Sequence, residues 1–199
     1  MDILKDEAIV LKRKFYNEDN IFVSIFSKEY GKVTCLAYGI RKSKKKELYA
    51  LNPTNYISFE INKKGINSIL KDFYLLENFS KIYSSIEKVQ ISIYIVYVLD
   101  KVLEYTQCEK DLYDDIKKIY KFLNEVDNKF FLEQEYQDKF LYRFLKRLCL
   151  DLGIYDESII KNISVAREKV KIFERYLSAY FDIEIDYNKI IKRSIYEKN

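Results

Sequence analysis

Residues 21–38 read IFVSIFSKEYGKVTCLAY. Apolar residues alternate with other residues on both sides of Gly31, and a period of two is typical of a β-strand with one buried face. Gly31 ends the turn between the two runs, since glycine reaches backbone angles that other residues avoid. The stretch therefore predicts a β-hairpin, one face of which carries Ile21, Val23, Ile25, Val33, Cys35 and Ala37.

Similar short runs lie on both sides of this hairpin. Residues 7–14, 55–61 and 66–76 are rich in strand formers, and turn clusters at 16–20 and 62–65 separate them. Five antiparallel strands within about eighty residues indicate a small closed or half-closed barrel.

The apolar period lengthens after residue 80, which predicts helices. Ser84-Ser85-Ile86-Glu87 is a helix-start signature, and the helix that follows is apolar on two sides, as expected of a central, buried helix. Further helices are predicted at 109–124, 131–152, 165–180 and after Asp186. The fold class is therefore α+β, with a five-stranded barrel domain over 1–80 and an α-helical domain over 81–199.

The composition excludes several classes of enzyme. The 199 residues contain no His, four scattered Gly and three Cys. Without His there is no Ser-His or Cys-His nucleophile pair and no His-ligated metal. The glycines form neither of the usual nucleotide-binding loops. The cysteines show no paired spacing, so we expect buried, reduced thiols in a cytoplasmic protein. Because Val89–Leu99 is too short to span a bilayer, no membrane segment is predicted.

Positive charge is concentrated in the N-terminal part of the chain. Residues 1–82 have 15 basic and 10 acidic side chains, against 20 and 21 in the remainder. Much of the excess lies in Arg41-Lys42-Ser43-Lys44-Lys45-Lys46, between two predicted strands. Such a loop can follow the phosphates of a nucleic acid, although it can equally be a solvated turn that keeps a strand edge soluble.

Aromatic residues interleave with these cations. A cationic groove with exposed rings on which bases stack is one way in which barrels bind nucleic acid, but most strand aromatics are packing residues. The rings that could stack on bases are Phe15, Tyr16, Tyr38, Tyr49 and Tyr56.

Two further clusters each allow two interpretations. Asp182, Glu184 and Asp186 would share one face of a strand and could clamp a divalent metal for phosphodiester cleavage. The alternative, which we favour, is a polar connection in which Asp186 caps a helix.

Four cations at helical spacing could dock an acidic-hydrophobic peptide tail or could belong to an ordinary amphipathic helix. These four are Lys139, Arg143, Lys146 and Arg147.

The N-terminal pattern resembles the RecO family of bacterial recombination mediators. The residues that carry the resemblance are Ala8-Ile9-Val10-Leu11-Lys12, Tyr16 with Glu18-Asp19, Gly31-Lys32, Ala37-Tyr38-Gly39-Ile40-Arg41-Lys42-Ser43-Lys44 and Leu51-Asn52-Pro53. The resemblance covers residues 7–60 well and implies an N-terminal OB-fold followed by helices. Members often carry a four-Cys zinc module after the helix that here ends at Gly153, but residues 156–165 contain no Cys. Zinc is therefore not predicted, nor is any other cofactor.

The resemblance implies a DNA-binding mediator without enzymatic activity. Such proteins bind single- and double-stranded DNA, anneal strands, and work with RecR to load RecA onto strands coated with single-strand-binding protein, whose acidic C-terminal tail they recognise. They act in the cytoplasm, at the nucleoid. Arg41, Lys42 and Lys44 match the family as DNA contacts, and Lys12, Lys32, Lys45 and Lys46 extend the set by charge and position. A protein–protein scaffold on the same fold, and the metal-dependent nuclease, remain alternatives.

Overall fold

The computed structural model describes residues 2–40, 48–64, 67–105 and 107–196. The chain divides into two compact units. One unit comprises Met1–Ser80 and Leu103–Lys117, and the other comprises Lys81–Val102 and Lys118–Asn199. The sequence placed residues 103–117 with the helices, whereas their contacts group them with the strands.

Five strands form a closed barrel in the order β1-β2-β3-β5-β4. Neighbouring strands are antiparallel except β3 and β5, which run parallel and pair at Leu36 and Ile69. This is an OB-fold, as predicted. The strands are β1 (Asp2–Phe15), β2 (Ile21–Ser27), β3 (Gly31–Ala37), β4 (Tyr56–Lys64) and β5 (Asn67–Glu77).

The interior of the barrel is apolar and follows the alternation seen in the sequence. All six residues assigned to one face of the hairpin are buried in a single core, together with Phe59 and Phe73 from the opposite strands. Burying an aliphatic side chain of this size contributes about 1.5–3 kcal/mol to stability. This apolar face therefore determines which side chains of each strand point into the barrel.

Within the described residues, six α-helices account for most of the remaining chain. Their bounds are α1 (Ile86–Val102), α2 (Lys110–Glu125), α3 (Asn128–Leu132), α4 (Gln134–Asp151), α5 (Ala166–Phe181) and α6 (Tyr187–Tyr196). None of the helices in the described ranges is long and apolar enough to cross a membrane.

The first half of α2 packs on the outside of the barrel. Phe26 lies on the outer side of β2 yet is fully buried, because its ring meets Tyr113 edge-on with 5.5 Å between centroids. Lys117 Nζ donates to Tyr56 Oη at 2.6 Å, and Lys28 pairs with Asp114 at 2.9 Å. These contacts explain why a segment predicted in the helical domain belongs to the barrel unit.

In the helical unit, α1 is buried on most of its surface, as its two apolar sides predict. Ser85 caps it by accepting a hydrogen bond from the Lys88 N–H at 3.4 Å. The helix predicted at 131–152 is present as α4, but it starts at Gln134, because the backbone of Glu133 is extended and separates α4 from α3. The side chain of Gln137 donates to the Phe131 carbonyl at 2.6 Å, so the break leaves that oxygen with a partner.

Residues 182–186 do not form a strand. Asp182 adopts a left-handed conformation, with φ of 51°, and ends α5. Asp186 accepts a hydrogen bond from the Lys189 N–H at 3.0 Å, and Glu184 pairs with Lys189 Nζ at 2.6 Å. The arrangement of three carboxylates on one strand face is therefore absent, and the metal clamp loses its geometrical basis.

The prediction of buried cysteines holds for two of the three. Cys35 and Cys149 are buried, and burial raises the pKa of each thiol to about 12, so both stay protonated at neutral pH. Cys108 is exposed, and its thiol donates to the Lys28 carbonyl at 3.2 Å.

One buried carboxyl group links three helices of the helical unit. Glu174 on α5 is 7% exposed and accepts hydrogen bonds from the Tyr94 hydroxyl at 3.0 Å and the Tyr187 N–H at 2.7 Å. Burial raises the pKa of Glu174 from 4.5 to about 7; Asp186 adds to the increase, while the two hydrogen bonds and Lys171 oppose it.

We expect Glu174→Gln to remove a pH dependence of stability. Between pH 4.5 and about 7 the folded chain keeps a proton that the unfolded chain loses, so the free energy of unfolding falls as pH rises. The wild type should lose at most about 3 kcal/mol more than the variant between pH 5 and pH 8. Urea denaturation at the two pH values measures the free energy of unfolding of each protein. An equal change with pH in the wild type and the variant would rule out the contribution of Glu174.

Candidate nucleic-acid interface

The predicted basic loop falls outside the described residues, but both of its ends are fixed. Arg41, Lys42, Lys44, Lys45 and Lys46 all belong to the undescribed 41–47. Before them, the Gly39 N–H donates to Asn20 Oδ1 at 2.9 Å, beside the turn between β1 and β2. After them, the Leu48 carbonyl accepts a hydrogen bond from the Arg13 guanidinium at 3.3 Å. Both ends of the loop are therefore held to β1 or to the turn that follows it.

The end of β1 contributes two exposed lysines to the outer face of the barrel. Lys12 pairs in register with Ser24, and Lys14 with Phe22. On β3 the partners of Ser24 and Phe22 are Thr34 and Leu36. Directly opposed residues of antiparallel strands share a face. Two rows therefore cross the outer face: Lys12, Ser24 and Thr34 in one, and Lys14, Phe22 and Leu36 in the other.

Lys32, the remaining predicted contact, lies on the same outer face but is only 6% exposed. Its ammonium donates to the Leu103 carbonyl at 3.5 Å and lies 4.9 Å from the ring centroid of Tyr105. Lys32 thus supports the segment that begins at Leu103, and little of its charge can reach a phosphate directly.

An open groove of about 970 Å³ lies within the barrel unit, over the outer side of β3. This volume is at the upper end of the roughly 300–1,000 Å³ common for binding pockets. Among the residues lining it are Phe22, Tyr38 and Tyr105, which are 37%, 59% and 63% exposed. Lys32, Lys63 and Thr34 also line it, as does Glu29, whose carboxylate pairs with Lys110. Rings interleaved with cations are the arrangement used to bind single-stranded nucleic acid.

The structure separates the predicted aromatic residues into two groups. Phe15, Tyr16, Tyr38 and Tyr49 are exposed, at 51%, 61%, 59% and 49%. Tyr56 is 3% exposed, because its hydroxyl donates to Glu7 and accepts from Lys117. The prediction that bases could stack on Tyr56 is therefore wrong, because this residue is buried.

Two groove rings were missed from the sequence. The outward position of Phe22 in β2 was a readable signal, since its neighbours Ile21 and Val23 point into the core. Tyr105 gave no such signal, because its position depends on the packing of a distant segment against β3.

On α4, the four predicted docking cations lie away from the buried positions. Lys139 pairs with Glu135 at 2.6 Å, and Arg147 pairs with Asp151 at 3.0 Å. Lys146 lies 5.1 Å from the ring centroid of Tyr155, and Arg143 is exposed. Three of the four cations therefore already have partners within the chain.

Comparison with known proteins finds a family match in the N-terminal part of this chain. A family described as "Recombination protein O N terminal" matches residues 1–79. The "DNA repair protein RecO" of Thermoanaerobacter sp. (strain X514) is 34% identical over 130 residues, covering 63% of this chain and 51% of the relative.

Other relatives carry the same description. The protein of Caldanaerobacter subterraneus subsp. tengcongensis is 35% identical over 117 residues, covering 57% of this chain and 46% of the relative. That of Listeria monocytogenes serotype 4b is 29% identical over 139 residues, covering 69% and 54%. This chain spans about half the length of the curated relatives that it matches.

Proposed function

We propose that this chain, whose residues 1–79 match the N-terminal family of Recombination protein O, is a RecO-type DNA-repair and recombination mediator that binds DNA through its barrel. The observation that carries the proposal is the outer face of β1–β3. There Lys12 lies in one row with Ser24, and Lys14 lies in the other row with Phe22. A groove lined with exposed aromatic residues, including Phe22, lies on the same face. Phosphates bound by the lysines would release condensed counterions, while the rings accept bases of any sequence.

The basic loop would extend this surface. The described residues on either side of it, Gly39 and Leu48, are hydrogen-bonded to Asn20 and Arg13. We propose Arg41, Lys42 and Lys44 as phosphate contacts, with Lys45, Lys46 and Lys12 adding charge. The buried ammonium of Lys32 gives it a supporting role in this surface.

Annealing is the activity that such a surface would provide. Two complementary strands repel each other through their phosphates, and bound cations lower that repulsion. No bond is made or broken, so the proposed activity requires no catalytic residue. We propose that the chain binds both single- and double-stranded DNA, and that it works at the nucleoid with RecR to load RecA.

The α4 cations are proposed as the dock for the acidic tail of single-strand-binding protein. The intrahelical pair of Lys139 with Glu135 has side chains 54% and 75% exposed. Exposed pairs of this kind contribute little net stability, because water screens both charges. An acidic peptide can therefore displace Glu135 from Lys139 at little cost, and Arg143 would add a second cation.

A protein–protein scaffold is the second candidate function, and an annealing assay separates the two. Two complementary oligonucleotides, one carrying a fluorophore and the other a quencher, are mixed at low salt with and without the chain. The mediator should accelerate quenching, whereas a scaffold that does not bind DNA should leave the rate unchanged. A variant with Lys139, Arg143 and Lys146 changed to Ala should anneal like the wild type, because it keeps the barrel surface intact.

A further inference from the structure

We propose that Tyr105, together with Tyr38 and Phe22, forms a stacking subsite for the unpaired bases of single-stranded DNA. The inference deepens the proposed function and rests on it. It concerns a residue outside the matched 1–79, contributed by the segment between α1 and α2. The subsite would make binding depend on bases as well as on phosphates.

The ring of Tyr105 is fixed in place and still exposed. Its backbone forms a parallel β-bridge with Lys32, and the Lys32 ammonium lies 4.9 Å from the ring centroid. Gly31 lies so close to Gln107 that an added Cβ would be 1.9 Å from the Gln107 carbonyl oxygen. The Leu103 carbonyl, which accepts a hydrogen bond from Lys32, and Gln107, which packs against Gly31, therefore hold the chain on both sides of Tyr105, and Tyr105 remains 63% exposed. An aromatic ring held rigidly in contact with water loses little conformational entropy when a ligand covers it.

The groove favours an unpaired base as the occupant. Phe22, Tyr38 and Tyr105 line one groove and offer apolar faces, and Lys63 lines the same groove and offers positive charge. Lys14, opposite Phe22 in register, adds a second cation next to these rings. Bases within a duplex are already stacked and paired, so only a single strand can present a base face and a phosphate together.

Binding of matched oligonucleotides tests this subsite. The probes are fluorescein-labelled oligothymidylate of about 12 nucleotides, within the known range for OB-folds, and a strand of equal length with abasic sites in place of bases. We expect the full chain to bind oligothymidylate about tenfold more tightly than the abasic strand. Tyr105→Ala should remove most of that difference, and Tyr105→Phe should retain it because the ring remains.

A matched control and the salt dependence complete the test. Tyr74 is 65% exposed on β5 and does not line the groove, so Tyr74→Ala should bind like the wild type. The salt dependence of binding should be unchanged in Tyr105→Ala, because no phosphate contact is lost. Equal affinities of the wild type for the two strands would overturn the stacking subsite and leave DNA binding intact. Binding of neither strand would overturn the proposed function as well.

Discussion

Gly31→Ala is expected to destabilise the barrel unit by about 3 kcal/mol or more. The added Cβ would lie 1.9 Å from the carbonyl oxygen of Gln107, which belongs to the backbone and cannot rotate away. The residue also has a φ of 63°, where a side chain costs about 1–2 kcal/mol by itself. To relieve the overlap, residues 103–109 would have to leave β3. Urea denaturation of the variant and the wild type measures the loss.

The chain supplies its own control for this prediction. Gly39 has a nearly identical φ of 62°, but none of the residues that the structure describes lies within 4 Å of the Cβ that an alanine would add there. Gly39→Ala should therefore cost only the conformational term of about 1–2 kcal/mol. If both variants lose the same stability, the folded chain does not hold the Gln107 carbonyl against Gly31.

Changing Arg41, Lys42 and Lys44 together to Ala is expected to weaken binding of single-stranded DNA roughly 10- to 100-fold at low salt. If each cation neutralises one phosphate, the slope of log affinity against log salt should become shallower by about two, at about 0.7 per phosphate. Fluorescence anisotropy at several salt concentrations gives both quantities.

A control variant that loses the same charge elsewhere separates the effect of direct DNA contacts from the effect of the net charge of the chain. Lys161, Arg167 and Lys171 are exposed in the helical unit. Changing these three to Ala lowers the net charge equally, and should leave the slope close to the wild-type value. An unchanged slope in the Arg41, Lys42 and Lys44 variant would show that the loop does not contact DNA.

The barrel was predictable from the sequence because its main determinant is local. Alternation in 21–38 specifies both the strands and the face that is buried, and the six residues of that face all lie in the core. The helix starts were also predictable, since side chains such as that of Asp186 cap the backbone three residues later. Such patterns act over a few residues and are visible in a single sequence.

Features that depend on contacts between distant residues were not predictable. The packing of residues 103–117 on the barrel requires Phe26 to meet Tyr113 and Gly31 to meet Gln107, far apart in sequence. Tyr56 looks like any strand aromatic until Glu7 and Lys117 are brought to its hydroxyl. For the same reason the sequence indicated the basic residues of the proposed interface but not the groove over β3.

Direct titration of the chain with labelled oligothymidylate at increasing salt is the measurement that tests the central claim of DNA binding by the barrel. We predict saturable binding at low salt that weakens steeply and linearly on a log–log plot, together with little preference for base sequence. The same titration with the Arg41, Lys42 and Lys44 variant should give weaker binding and a shallower slope. Absence of binding by the wild type at low salt, or binding that is insensitive to salt, would contradict the account.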